Sequence, residues 1–201
     1  VDSDDDPVGQ ILSRREALKL LGVGSTALFA WTAAMPGERD SSLVTSSAGP
    51  ALACVVRPQL GIGSHFLEDQ LERSDIRFEP TNGSVTEGAP LTLTLGVFEV
   101  SKKRCTPLEG AQVDIWHCDA LGHYSGVRVP GFDGTGLIFL RGYQLTDARG
   151  RAQFKTIYPG WYPGRTVHIH FMIRTTIAQG QRYEFASQLF FSDLLTDRIH
   201  A

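Results

Sequence analysis

PLTLTLGVFEV, residues 90–100, sets Leu91, Leu93, Leu95 and Val97 against Thr92, Thr94 and Gly96. Apolar and polar side chains alternating at period two, in residues that favour extended backbone, predict a strand with one face buried. Downstream, a turn is read at KKRCTPLEGA (102–111), followed by a strand in QVDIWHC (112–118) with Val113 and Ile115 on one face and Asp114 and Trp116 on the other. AQFKTIYPGWYPG (152–164) reads as a strand running into a Pro/Gly loop, and TVHIHFMIRT (166–175) and SQLFFSD (187–193) read as two more. Short strands at this spacing, punctuated by Gly and Pro, predict an all-β fold, an antiparallel β-sandwich. Upstream, only HFLEDQLERSD (65–75) has the pattern of a short helix, and no internal repeat is visible.

The 201 residues are 42% hydrophobic and 20% charged, which excludes a disordered or collagen-like chain. From Cys54 onward acids and bases balance, and no basic stripe is present, so nucleic acid is not an expected partner. The first part of the chain reads as an address. In SRREALKLLGVGSTALFAWTAA (13–34), Arg14 and Arg15 precede an apolar run from Leu20 to Ala34, a pattern that resembles a twin-arginine export signal. That run is shorter than the ~20 residues of a membrane helix, so no permanent span is expected. The expected organisation is a signal segment over 1–34, a Ser/Gly/Pro/Ala-rich linker over 35–53 and a folded domain over 54–201, in a protein exported to the cell envelope or beyond. ALAC (51–54) gives a faint lipoprotein-box pattern at Cys54, and a disulfide joining two of Cys54, Cys105 and Cys118 is the other reading, with the pairing open.

The chemistry lies in two segments. In VHIHF, His168 and His170 are two apart on a strand, so both imidazoles leave one face with Cα atoms ~7 Å apart, within reach of a single metal ion. An isolated pair of this kind is also what two half-exposed strand histidines look like. The upstream loop YPGWYPGR adds Tyr158, Tyr162 and Arg165 between prolines that stiffen it, and DIWHCDALGHYSG (114–126) carries Tyr124 in a polar loop. Asp119 is read as a turn residue, His117 as structural or pocket wall, and Trp116 and Trp161 as core or pocket wall.

The strings GAQVDIWHCDALGHYSG, TIYPGWYPGRTVHIHF and SQLFFSD, in this order, resemble the intradiol ring-cleavage dioxygenases, non-haem ferric enzymes that include catechol and protocatechuate dioxygenases, and most closely their secreted bacterial branch. The resemblance spans roughly residues 74–198. It implies an Fe(III) centre held by Tyr124, Tyr162, His168 and His170, with Arg165 and Gln188 acting on the substrate and Tyr162, rather than its rival Tyr158, also serving as internal base. It further implies a catechol-type substrate and dioxygen as small-molecule partners, ring opening between the two hydroxyl-bearing carbons to a muconate-type diacid, and a homodimer. The donor types suit that metal: phenolates are hard anionic ligands that favour ferric iron, whereas zinc more often takes Cys, His or carboxylate.

Two stretches depart from the family pattern. VVRPQLGIGSHFLED (55–69) stands where secreted members carry a Glu-Gly-Pro-aromatic string, which implies a pocket of altered shape, and the chain ends at Ala201 where the family continues with further strands, which implies a C-terminal truncation. The alternative is therefore a secreted β-sandwich module that binds aromatic or polysaccharide ligands with little or no catalysis. A zinc hydrolase built on the histidine pair is the remote third reading.

Overall fold

The computed structural model describes residues 58–68, 71–101, 104–176 and 180–201. The expected signal segment, the linker and Cys54 lie outside the described residues. Two antiparallel sheets carry the fold. One pairs β1 (Pro90–Gly96) with β8 (Arg151–Ile157), and the other orders β10 (Arg182–Phe190), β9 (His168–Thr176), β4 (Gln112–Trp116) and β7 (Arg141–Leu145). Two hairpins, β2 (Phe98–Ser101) with β3 (Arg104–Pro107) and β5 (Arg128–Val129) with β6 (Phe132–Asp133), and a terminal helix α1 (Asp193–Ile199) complete the elements. Among the described residues no helix is long and apolar enough to cross a membrane.

Period-two patterning decides which residues meet. Leu91, Leu93 and Leu95 of β1 and Ala152 and Phe154 of β8 share one apolar cluster with Val113 and Ile115 of β4 and Ile169 and Phe171 of β9. The alternate residues of the larger sheet turn away from this core, where Trp116, Met172 and Ala186 form a second cluster with Cys118 and Tyr124. β9 is thus buried on both faces, and its even-numbered residues His168, His170 and Met172 lie in the second layer.

Three segments differ from the sequence expectation. The stretch 65–75 forms no helix among its described residues, because its backbone groups bind elsewhere. Arg73 N–H donates to Tyr143 C=O and Ile76 N–H to Lys155 C=O, while Leu71 C=O and Ser74 C=O accept from Tyr143 and Lys155. The segment therefore bridges β7 and β8, satisfying strand edges that a helix would leave open. The strand expected over 90–100 breaks at the buried Val97, whose N–H donates to Gly150 C=O, so the chain leaves β1 and enters the β2–β3 hairpin. That hairpin also takes in part of the expected turn at 102–111. Cys105 on β3 is disulfide-bonded and Cys118 is a free, buried thiol, so neither pairing that uses Cys118 is formed.

Candidate metal centre

The site is built on one register row of the larger sheet. Arg141 on β7 faces Trp116 on β4, Trp116 faces His170 on β9, and His170 faces Gln188 on β10. Residues paired directly across strands point to the same side. Here they place a guanidinium, an indole, an imidazole and an amide side by side, each no more than 3% exposed. Trp116 lies flat on His170, with ring centroids 5.0 Å apart and planes within 4°.

His168 leaves the same face two residues earlier, and its Nε2 is 3.0 Å from Nε2 of His170. His168 Nδ1 lies 2.6 Å from the Thr166 carbonyl oxygen. A carbonyl only accepts, so Nδ1 carries the proton and Nε2 presents its lone pair inward, the tautomer of a metal-ligating histidine. Burial, with His168, His65 and Arg165 nearby, holds His170 well below the usual histidine range and hence neutral.

Loops close the centre from above. Tyr124 follows β4 in a turn organised by Asp119, whose carboxylate accepts the Leu121 and His123 N–H groups, and Tyr162 stands in the Pro/Gly loop between β8 and β9. Ring centroids run 5.9 Å from Tyr124 to Tyr162, 5.9 Å from Tyr162 to His168, 4.6 Å from His168 to His170 and 6.3 Å from His170 back to Tyr124, a closed circuit of four. Both phenol oxygens are buried with no partner in hydrogen-bonding geometry, as is His170 Nδ1. A buried polar atom left without a well-aligned partner costs about 1–3 kcal/mol; these two phenols have only each other and Ser64 within reach, and a bound cation would satisfy them better. Burial raises both phenols above their usual range, against the opposing influence of Arg141 on Tyr124 and of the Tyr124 hydroxyl and Arg165 on Tyr162. A trivalent cation is what would draw their protons off.

A strap over residues 58–68 covers the row. Leu60 N–H donates to Ala186 C=O, Ser187 Oγ to Pro58 C=O, Trp116 Nε1 to Ser64 C=O at 3.3 Å, and Arg141 to His65 C=O at 2.5 Å. Gly63, at φ +81°, passes so close that an added Cβ would sit 2.4 Å from His170 Cε1. Arg141 holds the other side as well, donating to Ser125 Oγ at 2.8 Å and Ser125 C=O at 2.7 Å, next to Tyr124. The departure at residues 55–69 thus falls, over its described part, on the cover of the centre.

Gln188 and the half-buried Arg165 complete the sequence-derived set, Arg165 near enough to act on both Tyr162 and His170. Tyr158 is drawn away: its hydroxyl lies 2.8 Å from Thr196 Oγ1 of α1. His117 is fully buried, with Nδ1 2.8 Å from Cys118 C=O and Nε2 2.7 Å from Thr156 Oγ1, a structural arrangement. The sequence reading missed His65, Gly63 and Arg141. His65 has φ +66°, and its ring lies 4.6 Å from that of Tyr124, tilted by 39°. The one available signal was an arginine inside the apolar window Leu137–Leu145, where a charge needs a reason. Outside the four rings a cavity of about 340 Å³ opens, lined by His65, Tyr124 and Tyr162 and by apolar side chains.

The family profile described as Dioxygenase matches residues 69–184. An intradiol ring-cleavage dioxygenase from Tetranychus urticae is 34% identical, with 73% of this chain and 70% of that one covered at a TM-score of 0.60. The dioxygenase domain of a dioxygenase carbohydrate-binding protein fusion from Streptomyces sp. SirexAA-E is 31% identical over 72% and 82% of the two chains, TM-score 0.50. Catechol 1,2-dioxygenase from Pseudomonas arvilla C-1 is 26% identical over 68% and 46%, TM-score 0.50. The mostly β fold with antiparallel sheets and the matched sequence together define a class: this chain belongs to the intradiol ring-cleavage dioxygenase family. The family typically uses non-haem ferric iron. Two buried phenols and an imidazole pair whose Nε2 atoms face each other at 3.0 Å fit that ion. Among the described residues no group of three or more His, Cys, Asp or Glu side chains is gathered for a metal, so an ion held here draws on the phenols.

Proposed function

We propose that the protein is a ferric dioxygenase that opens catechol-type rings between the two hydroxyl-bearing carbons, with Tyr124, Tyr162, His168 and His170 holding the iron. The observation that carries this reading is the closed circuit of four rings with both phenol oxygens buried inside it and no well-aligned hydrogen bond to either. Bound ferric iron supplies the Lewis acidity and electron-accepting character that make a catecholate reactive towards dioxygen. The carbon–carbon bond between the oxygenated carbons breaks, both atoms of dioxygen enter the diacid product, and no external reductant is consumed.

The chain's own residues do the rest. Tyr124 is almost fully buried and Tyr162 is less so, on the loop that faces the cavity. With its own proton lost to a bound ferric ion, Tyr162 would be the phenolate placed to take a proton from an entering catechol, while Tyr124 and the histidines stay fixed beneath the strap. Arg165 supplies positive charge beside Tyr162, where charge develops on the substrate, and Gln188 offers an amide in the row beside His170. The strap and Trp116 keep water from the histidine side.

The test is dioxygen uptake by iron-replete protein with a panel of catechols and identification of the product. One dioxygen consumed per catechol, with a muconate-type diacid formed, supports the reading. A colourless protein that binds aromatics without uptake supports the binding module instead. We also propose that residues 1–34 direct twin-arginine export, which cell fractionation of the wild type against Arg14→Lys/Arg15→Lys tests: the double variant stays in the cytoplasm if the pair is the signal.

A further inference from the structure

The cavity outside the four rings is larger and less polar than a bare catechol requires. Its volume of about 340 Å³ falls within the ~300–1,000 Å³ of pockets that host drug-sized ligands, whereas catechol is a single ring with two hydroxyls. Beyond the two tyrosines and His65 its wall is Val127, Val129 and Phe132, with Leu121 and Trp161 at the lip, and among the described residues no Lys, Arg, Asp or Glu contributes to the lining. His123 stacks on Phe132 at 4.4 Å, within 5° of parallel, and so extends the flat aromatic wall. The lip is apolar yet solvent-facing, Leu121 at 77% and Trp161 at 59% exposure, so its side chains gain burial only when something apolar lies against them.

We propose that the substrate is a catechol bearing an uncharged apolar or aromatic substituent, seated between the Val127–Val129–Phe132 wall and the Leu121–Trp161 lip while its hydroxyls face Tyr124 and Tyr162. This rests on the dioxygenase reading and names its substrate class. The cavity is continuous with the two phenols that line it, so ring and substituent belong to one molecule. A carboxylated ring is disfavoured, because on the wall away from Tyr162 and Arg165 its charge would be desolvated against Val127, Val129 and Phe132 with no Lys or Arg among the described lining residues. An added apolar group, by contrast, gains roughly 10–200-fold per well-filled contact.

The test compares 4-tert-butylcatechol, catechol and 3,4-dihydroxybenzoate on iron-replete protein. Kd is read anaerobically from the shift of the visible band, and kcat/KM from dioxygen uptake. The wild type is expected to bind 4-tert-butylcatechol at least tenfold tighter than catechol and 3,4-dihydroxybenzoate at least tenfold more weakly than 4-tert-butylcatechol. Trp161→Ala should shrink the first preference at least fivefold, and Leu121→Lys should shrink the second by a similar factor. Both positions are exposed, so both variants should fold. Equal affinities for the three ligands, or preferences that neither variant moves, would overturn the assignment while leaving the dioxygenase reading intact. Iron-replete protein that turns over no catechol would overturn both.

Discussion

Three residues show how the sheet and its strap fix the centre. Gly63 sits against the edge of His170 while Trp116 covers the ring's face, so His170 has nowhere to retreat. Gly63→Ala should weaken iron binding at least tenfold, whereas Gly61→Ala, whose Cβ meets only a backbone nitrogen 4.0 Å away, should change it less than twofold; iron titration followed by visible absorption separates them. Arg141→Lys replaces a planar fork that serves His65 C=O, Ser125 C=O and Ser125 Oγ by a point charge that cannot reach all three. It should cost about 3 kcal/mol in urea denaturation. His117 gives a pH signature. Burial is the main cause holding its folded pKa down to about 4, below the 6.5 of a free imidazole. Between those values the unfolded chain binds the extra proton and the folded one does not, so stability falls as pH drops through this window, by about 3 kcal/mol in all. Denaturation at pH 7 and pH 4.5 should show His117→Gln losing less stability than the wild type over that interval.

The same scale shows what could be read in the chain beforehand. Two histidines at spacing two on a strand must share a face, and that much follows from backbone geometry. The place of His65 and Gly63 does not follow, because a left-handed backbone in an irregular strap leaves no periodic trace and its partners lie far along the chain. Arg141 was overlooked because nothing local says which carbonyls a buried guanidinium will serve.

At the scale of elements, β9 is the organising strand: its odd residues enter the core between the sheets and its even residues build the centre. Arg174 ties it to two neighbours. Its guanidinium donates to both oxygens of Asp114 on β4, at 2.7 and 3.1 Å, and to Glu68 at the end of the strap, and it lies 5.8 Å from the Phe66 ring. Arg174→Met leaves the largely buried Asp114 carboxylate without its main partner, an expected loss of about 3 kcal/mol, and frees the strap at Glu68. Amide hydrogen exchange over 58–68 should speed up in this variant, and unchanged exchange there would show that Arg174 does not hold the strap. Strand patterns were legible because their period is strong. The 65–75 stretch was misread as helical because its apolar spacing suits a helix, while the edges of β7 and β8 that claim its backbone are visible only in three dimensions.

At the scale of the whole molecule, two layers set the proposed centre within a region whose acids and bases balance from Cys54 onward. The inner core supplies the apolar burial, and the outer layer sets two buried phenols and an imidazole pair beside a cavity with a largely apolar wall. The grouping of Tyr124, Tyr162, His168 and His170 around one ferric ion is the claim on which the functional reading stands. Resonance Raman spectroscopy of iron-loaded protein, excited in its visible band, addresses it most directly. Tyrosinate vibrations should be present in the wild type at one iron per chain and reduced in both Tyr124→Phe and Tyr162→Phe. Iron bound at that stoichiometry without tyrosinate vibrations, or vibrations that neither substitution changes, would contradict it.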